Sequence, residues 1–224
     1  MRPWRPSMKK SGRYKTDGFI EDQYEAGSGG LVLKNLLHIK DKQEIEELET
    51  RELYRVTEQM TEIFDQDHQF TAGDICNMHR NWLGPVYEWA GKYRQVTISK
   101  GGFTFALPRV IPQLMADFEK NELRRFTPCT FADREEQIQA LAIVHTELLL
   151  IHPFREGNGR LSRLLAMLMA LQAGLPPLDF SEFEGERKEE YFAAVRKGMD
   201  RDYQPMGEFF SAVIDRTLQA YEEK

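Results

Sequence analysis

Two long helical patterns in this sequence meet at one short junction, and that junction limits how the chain can pack. The first carries Ile138, Leu141, Ala142, His145, Leu148 and Leu149 at helical spacing, as one long amphipathic helix. It stops where His152 meets Pro153, because a residue before proline is disfavoured in the α region. The second begins after Gly157-Asn158-Gly159 and continues as RLSRLLAMLMALQ to Gly174, a glycine placed to end it. A helix exit and a helix entrance therefore both lie within HPFREGNGRLSR, His152 to Arg163. The apolar run LLAMLMAL that follows is too short to cross a bilayer, so the second helix belongs to a protein core.

The remaining pattern is also helical, which predicts a mostly α fold. DKQEIEELETRELYRVTEQMTEIF, from Asp41, places Ile45, Leu48, Leu53, Val56, Met60 and Ile63 near one face, as a helix or helix pair. Thr71 precedes Asp74 by three, a capping box for a helix that runs to the break at Gly84-Pro85. Helical pattern resumes from Pro108 to Arg125, and Thr130 with Asp133 predicts a second capping box. Two more helices are expected around Tyr191–Val195 and Phe209–Ile214. The one good strand signal is YRQVTISKGGFTFALP, where β-branched and aromatic residues flank Lys100, Gly101 and Gly102 as in a hairpin. The first thirty residues, polar and ending in GSGG, predict a flexible arm, residues 31–215 one domain, and 216–224 a tail. No internal repeat is found.

Composition narrows the partners. A net charge of −6 supplies no overall basic field, so neither direct nucleic-acid binding nor an anionic membrane surface is expected. Cys76 and Cys129 lack metal-ligand spacing and suit a reducing compartment. The basic start MRPWRPSMKK is followed by no apolar segment of the secretory kind, so the expected location is cytoplasmic.

Chemistry concentrates in the junction. A helix N-terminus leaves backbone N–H groups unpaired and carries partial positive charge, which makes it an anion site. Gly157, Asn158 and Gly159 let successive amides converge and a phosphate approach the backbone, and Asn158 offers an amide donor. Arg160 and Arg163, three apart on the new helix, share a face and can reach different phosphates of one polyphosphate. Glu156 beside that cradle would repel a bare phosphate and makes sense if a divalent cation, magnesium by its oxygen preference, lies between them. His152, with an ordinary pKa near ~6.5, can take a proton from an attacking hydroxyl. Together these groups predict transfer from a magnesium-bound nucleotide to an alcohol or phenol, without choosing which phosphate is attacked. Each group taken alone has a plainer role, as a turn, a solvated charge or a cap; the combination in this order favours function.

The stretch HPFREGNGRLSR resembles the motif of Fic-domain proteins. VYEWAGKYR at Val86–Arg94, ISKGGFTF at Ile98–Phe105 and YFAAVRKGMDRDYQP near the end are similar to supporting segments of that family, and the likeness covers most of residues 34–210. The resemblance implies a mostly helical bundle with a β-hairpin flap over the active site, and transfer of AMP from ATP to a protein hydroxyl. It implies that His152 is the general base, that Phe154 anchors the loop in the core and that Glu156 holds magnesium on the α- and β-phosphates. Gly157, Asn158 and Gly159 would cradle the phosphates, Arg160 grip the α/β region, and Arg163 bind the γ-phosphate. Lys100, Gly101, Gly102 and Phe103 of the flap would line the nucleotide pocket and offer a strand edge to the target. Tyr191 would lie near the adenine, and Lys34 and Asn35, in LVLKN, near the nucleotide. His79 and Trp89 are expected to be packing residues.

Many Fic proteins restrain themselves with a segment of pattern Ser/Thr, three residues, Glu, then Gly or Asn. SEFEGE at Ser181, TDGFIE at Thr16 and the C-terminal TLQAYEEK each miss that spacing. The resemblance is therefore to the subgroup held off by a separate small antitoxin protein, which implies a type II topoisomerase subunit as the target. A divergent segment in the first thirty residues could instead be the inhibitor. Two other functions compete: a Fic-fold enzyme moving a different nucleotide, a phosphate or phosphocholine, and a non-catalytic helical interaction module.

Overall fold

A computed structural model of the chain describes residues 18–100, 102–183 and 187–222, with the backbone alone at 182 and 183. Eight α-helices are described: α1 Lys42–Ile63, α2 Ala72–Leu83, α3 Ile111–Phe118, α4 Arg124–Phe126, α5 Arg134–Ile151, α6 Asn158–Gln172, α7 Lys188–Lys197 and α8 Gln204–Glu222. Between α2 and α3 a two-stranded antiparallel hairpin pairs β1 Ser99–Lys100 with β2 Phe103–Thr104, in the register Ser99 to Thr104 and Lys100 to Phe103.

The centre of the bundle is α5, which packs against α3, α6, α7 and α8. Every residue from Ala140 to Thr146 is buried, so this helix is not the amphipathic one expected: neighbours cover it nearly all round. Its partner α6 buries Leu161, Leu164, Leu165, Leu168 and Met169 in the same core. The end of α6 is a Schellman turn, with Leu175 N–H donating to Ala170 O at 2.9 Å and Gly174 N–H to Leu171 O at 3.0 Å. Gly174 takes φ +74° there, a conformation glycine adopts at little cost.

The capping box at the start of α2 is formed in both directions, Thr71 Oγ1 accepting from Asp74 N–H at 3.1 Å and Asp74 Oδ2 from Thr71 N–H at 2.9 Å. The second expected box is absent: α5 begins one residue after Asp133, whose own side chain makes no capping bond. Residues 41–63 form one helix, and residues 216–222, expected to be a tail, continue α8 and bury Thr217. Residues 18–30 are not a free arm either. Glu21 accepts from Gln95 N–H at 2.5 Å, Glu25 from Asn35 N–H at 3.3 Å, and Tyr24 bridges to Leu33, so burial of polar groups against acceptors ties this segment down. Residues 1–17 of the expected arm lie outside the described residues.

Candidate active site

The exit of α5 is a left-handed residue. His152 has φ 51°, ψ 59°, and its N–H still donates to Leu148 O at 3.0 Å. A non-glycine residue in this region costs about 1–2 kcal/mol, and the surroundings hold it. Phe154, fully buried, stacks on His79 at 3.9 Å and anchors the following loop, a burial that contributes about 2 kcal/mol. His79 does more than pack: its Nδ1 accepts from Gly91 N–H at 2.8 Å, and its Nε2 then donates to Glu156 O at 3.1 Å.

The entrance of α6 is built around Gly157 at φ 82°. The N–H groups of Asn158, Gly159 and Arg160 precede the first intrahelical bond, Leu161 N–H to Gly157 O at 2.9 Å, and so have no acceptor within the helix. Asn158 sits differently from the expected amide donor. Its Oδ1 accepts from Phe154 N–H at 2.9 Å and its Nδ2 donates to Phe154 O at 2.8 Å, which closes the loop and spends the side chain.

A cavity of about 920 Å³ opens at this junction. His152, Glu156, Gly157, Gly159, Arg160 and Arg163 all line it. From outside the junction Lys100 and Tyr191 also reach it, but Gly102, Phe103, Lys34 and Asn35 do not; Gly101 lies outside the described residues. The departures have local causes. Asn35 is buried with both side-chain atoms on the turn around it, donating to Ile39 O at 2.8 Å and accepting from Ile39 N–H at 2.9 Å. Lys34 is exposed and donates to Gln23 Oε1 at 3.1 Å, leaving Leu31, Val32 and Leu33 to line the cavity. Phe103 packs edge-on against Phe105, and it is Phe105 that reaches the cavity, its ring stacked on His152 at 3.8 Å and 16°. Tyr191 is buried with its hydroxyl 2.8 Å from His145 Nε2, so one edge of its ring belongs to the core and the residue still borders the cavity.

His152 Nδ1 lies 3.2 Å from Leu149 O. A carbonyl only accepts, so Nδ1 carries the proton and Nε2 keeps a lone pair. Burial pushes the pKa of His152 down to about 4; the Leu149 carbonyl acts against that, while the charges of Arg94 and Lys100 reinforce it. At neutral pH the ring is uncharged, and the Nε2 lone pair can accept a proton.

Three arrangements here join residues far apart in the chain, and the spacing of the sequence does not announce them. Glu49 of α1, one of several glutamates on that helix, is 4% exposed and pairs with Arg160 Nη1 at 2.8 Å while accepting from the Tyr87 hydroxyl at 2.6 Å. Trp82 donates to Glu49 O at 2.8 Å and lies under the Arg160 guanidinium at 4.7 Å, so Arg160 is oriented on two sides. The second arrangement is the stack of Phe105 on His152, and the third is Arg94, considered below. Glu156 accepts from Gly157 N–H at 2.9 Å and lies 3.5 Å from Arg160 Nη2. Among the described residues no group of three or more His, Cys, Asp and Glu side chains stands together as a metal cage. The single carboxylate of Glu156 fits a magnesium that takes most of its ligands from substrate phosphates and water.

Burial also lowers the pKa of His79 to about 4 and of His145 to about 3. Both stay neutral in the fold while the unfolded chain protonates near ~6.5, so their contribution is full above that value and is lost as pH falls toward the folded values. Urea unfolding at pH 7 and pH 5.5 is expected to show a loss of about 1 kcal/mol for each of these two histidines and a similar loss for His152, which is lowered in the same way. Equal stability at the two pH values would contradict their neutral burial.

Comparison with known proteins places this geometry. Residues 69–170 match the family model described as Fic/DOC family. Protein adenylyltransferase fic-1 of Caenorhabditis briggsae is 31% identical over 159 residues, 70% of this chain and 29% of that protein. Protein adenylyltransferase Fic of Drosophila ananassae is 29% identical over 157 residues, 70% of this chain and 30% of that protein. The chain thus spans under a third of the length of these relatives. The N-terminal Fic domain of a Bartonella effector protein from Bartonella sp. AR 15-3 superposes with a TM-score of 0.72 at 22% identity, covering 90% of this chain and 94% of that one. BepC of Bartonella tribocorum, solved with bound AMPPNP, gives a TM-score of 0.69 at 23% identity, with 86% and 96% covered. The left-handed histidine, the glycine turn and the paired arginines stand on a shared helical scaffold, and residues 69–170 of this chain carry the match to the Fic/DOC family.

Proposed function

We propose that this chain is a protein adenylyltransferase that moves AMP from Mg-ATP to a hydroxyl side chain of a target protein. The observation that carries the reading is one cavity lined both by a neutral His152 and by the α6 entrance with Arg160 and Arg163. The names of the relatives and the AMPPNP held by BepC support an adenine nucleotide as substrate.

In this mechanism Nε2 of His152 takes the proton of the target hydroxyl as its oxygen bonds to the α-phosphorus. The bond to the bridging oxygen of the departing pyrophosphate breaks, and that pyrophosphate carries the charge away. Arg160, oriented by Glu49 and Trp82, and the amides before Leu161 stabilise the phosphate charge as it develops. Arg163 holds the terminal phosphate, which fixes which phosphorus faces the hydroxyl. Magnesium, when bound through Glu156, would neutralise part of the phosphate charge.

The reading extends to regulation. The self-inhibitory spacing is missing from the three segments that approach it, which supports restraint in trans by a small antitoxin whose glutamate pairs with Arg163. A toxin of this kind acts in the cytoplasm, and a type II topoisomerase subunit is the target class to test first. No helix among the described residues is long and apolar enough to cross a membrane. The test is incubation of the chain with α-labelled ATP, magnesium and a bacterial lysate. Label should appear on a discrete protein with the unaltered chain and vanish with His152→Ala; label that persists in the variant would remove His152 from the chemistry.

A further inference from the structure

Arg94 lies 1% exposed between the hairpin and the junction. Its Nε donates to His152 O at 2.7 Å, its Nη1 to Val96 O at 2.7 Å and its Nη2 to Ala106 O at 2.6 Å. Its backbone N–H donates to Pro153 O at 2.8 Å. A guanidinium buried against carbonyls, with Glu21 acting on it only as a more distant charge, is costly to place, and burial holds its pKa down to about 10. A residue needed only to fill space would not be charged.

The three carbonyls explain the choice. Val96 precedes β1, Ala106 follows β2, and His152 is the left-handed residue that ends α5. Only a planar fork with several fixed donors can join three such segments at once. Phe105, next to Ala106, adds a second tie through its ring stack on His152. The hairpin and the histidine are thus linked through backbone and ring together.

We infer that Arg94 is a positioning residue: it locks the His152 backbone to both stems of the hairpin, so that the aim of the His152 ring depends on the hairpin. The inference rests on the reading of His152 as general base for its kinetic consequence, but not for its structural one.

The test is nitrogen NMR of the full chain with labelled histidine, beside transfer kinetics. In the unaltered chain His152 should be a single Nδ1–H tautomer. In Arg94→Lys, which cannot reach three carbonyls, and separately in Phe105→Leu, His152 should exchange between tautomers. His79, whose two nitrogens are fixed by Gly91 and Glu156, should stay Nε2–H in both. For Arg94→Lys, kcat should fall on the order of 100-fold, with KM for Mg-ATP unchanged because Arg94 touches no part of the α6 entrance. An unchanged His152 tautomer in both variants would overturn the inference, and so would His79 changing together with His152, the mark of a general loosening. If the chain transfers nothing from ATP, the proposed function fails on its own while the tautomers still decide this point.

Discussion

Gly157→Ala is expected to destabilise the chain by about 2–5 kcal/mol, the sum of left-handed strain and overpacking. A methyl there would sit 2.6 Å from Trp82 Cζ3 and 2.9 Å from Cη2, at φ +82°. Trp82 cannot give way easily, being fully buried, donating to Glu49 O at 2.8 Å and lying under Arg160. Gly159→Ala should behave in the opposite sense. Gly159 is helical, and a Cβ built on it meets nothing within 4 Å. Alanine in a helix is favoured over glycine by up to about 1 kcal/mol, so this variant should be at least as stable as the parent. Its methyl would enter the cavity where a phosphate must approach the backbone, and Mg-ATP binding should weaken. Denaturant unfolding and calorimetric titration separate the two glycines. A Gly159→Ala chain that binds Mg-ATP as the parent does would refute the anion cradle.

His152→Gly should be more stable than His152→Ala by about 1 kcal/mol, reversing the usual order of the two residues. The cause is φ 51° at this position, which alanine adopts with strain and glycine without it. Both variants remove the base and should lose transfer by a factor on the order of 10²–10⁴. The pair distinguishes a left-handed residue retained for function from one that merely ends a helix. Equal stability of the two would mean that the α5 exit relaxes once the histidine is gone.

What could be read from the sequence follows from what is local. Proline after His152, glycine at 174, and Thr71 with Asp74 each act within a few residues, and each produced the expected boundary, whereas α6 begins two residues earlier than expected, at Asn158 directly after the left-handed Gly157. The junction is local too, which is why its histidine, glycines and arginines could be named as one cradle. Glu49, Arg94 and Phe105 act across the fold, on residues 111, 58 and 47 positions away, as in Glu49 to Arg160, Arg94 to His152 and Phe105 to His152. Nothing in a glutamate on a glutamate-rich helix tells which copy will face an arginine. Within the hairpin the choice between Phe103 and Phe105 depended on which ring meets the α5 exit, a tertiary fact. Lys34 and Asn35 failed as cavity residues because Asn35 satisfies the turn from Leu33 to Ile39, a use that local composition permits but does not announce.

In the proposed reaction this cavity transfers the α-phosphoryl group with its nucleoside, and not the terminal phosphate. Parallel incubations with α-labelled and γ-labelled ATP, magnesium and lysate test it most directly. Protein-bound label is expected from the α-labelled nucleotide alone, strongly reduced by Arg163→Ala, which removes the group that fixes the terminal phosphate. Label arriving from the γ-position would contradict this reaction and assign the cavity to phosphate transfer.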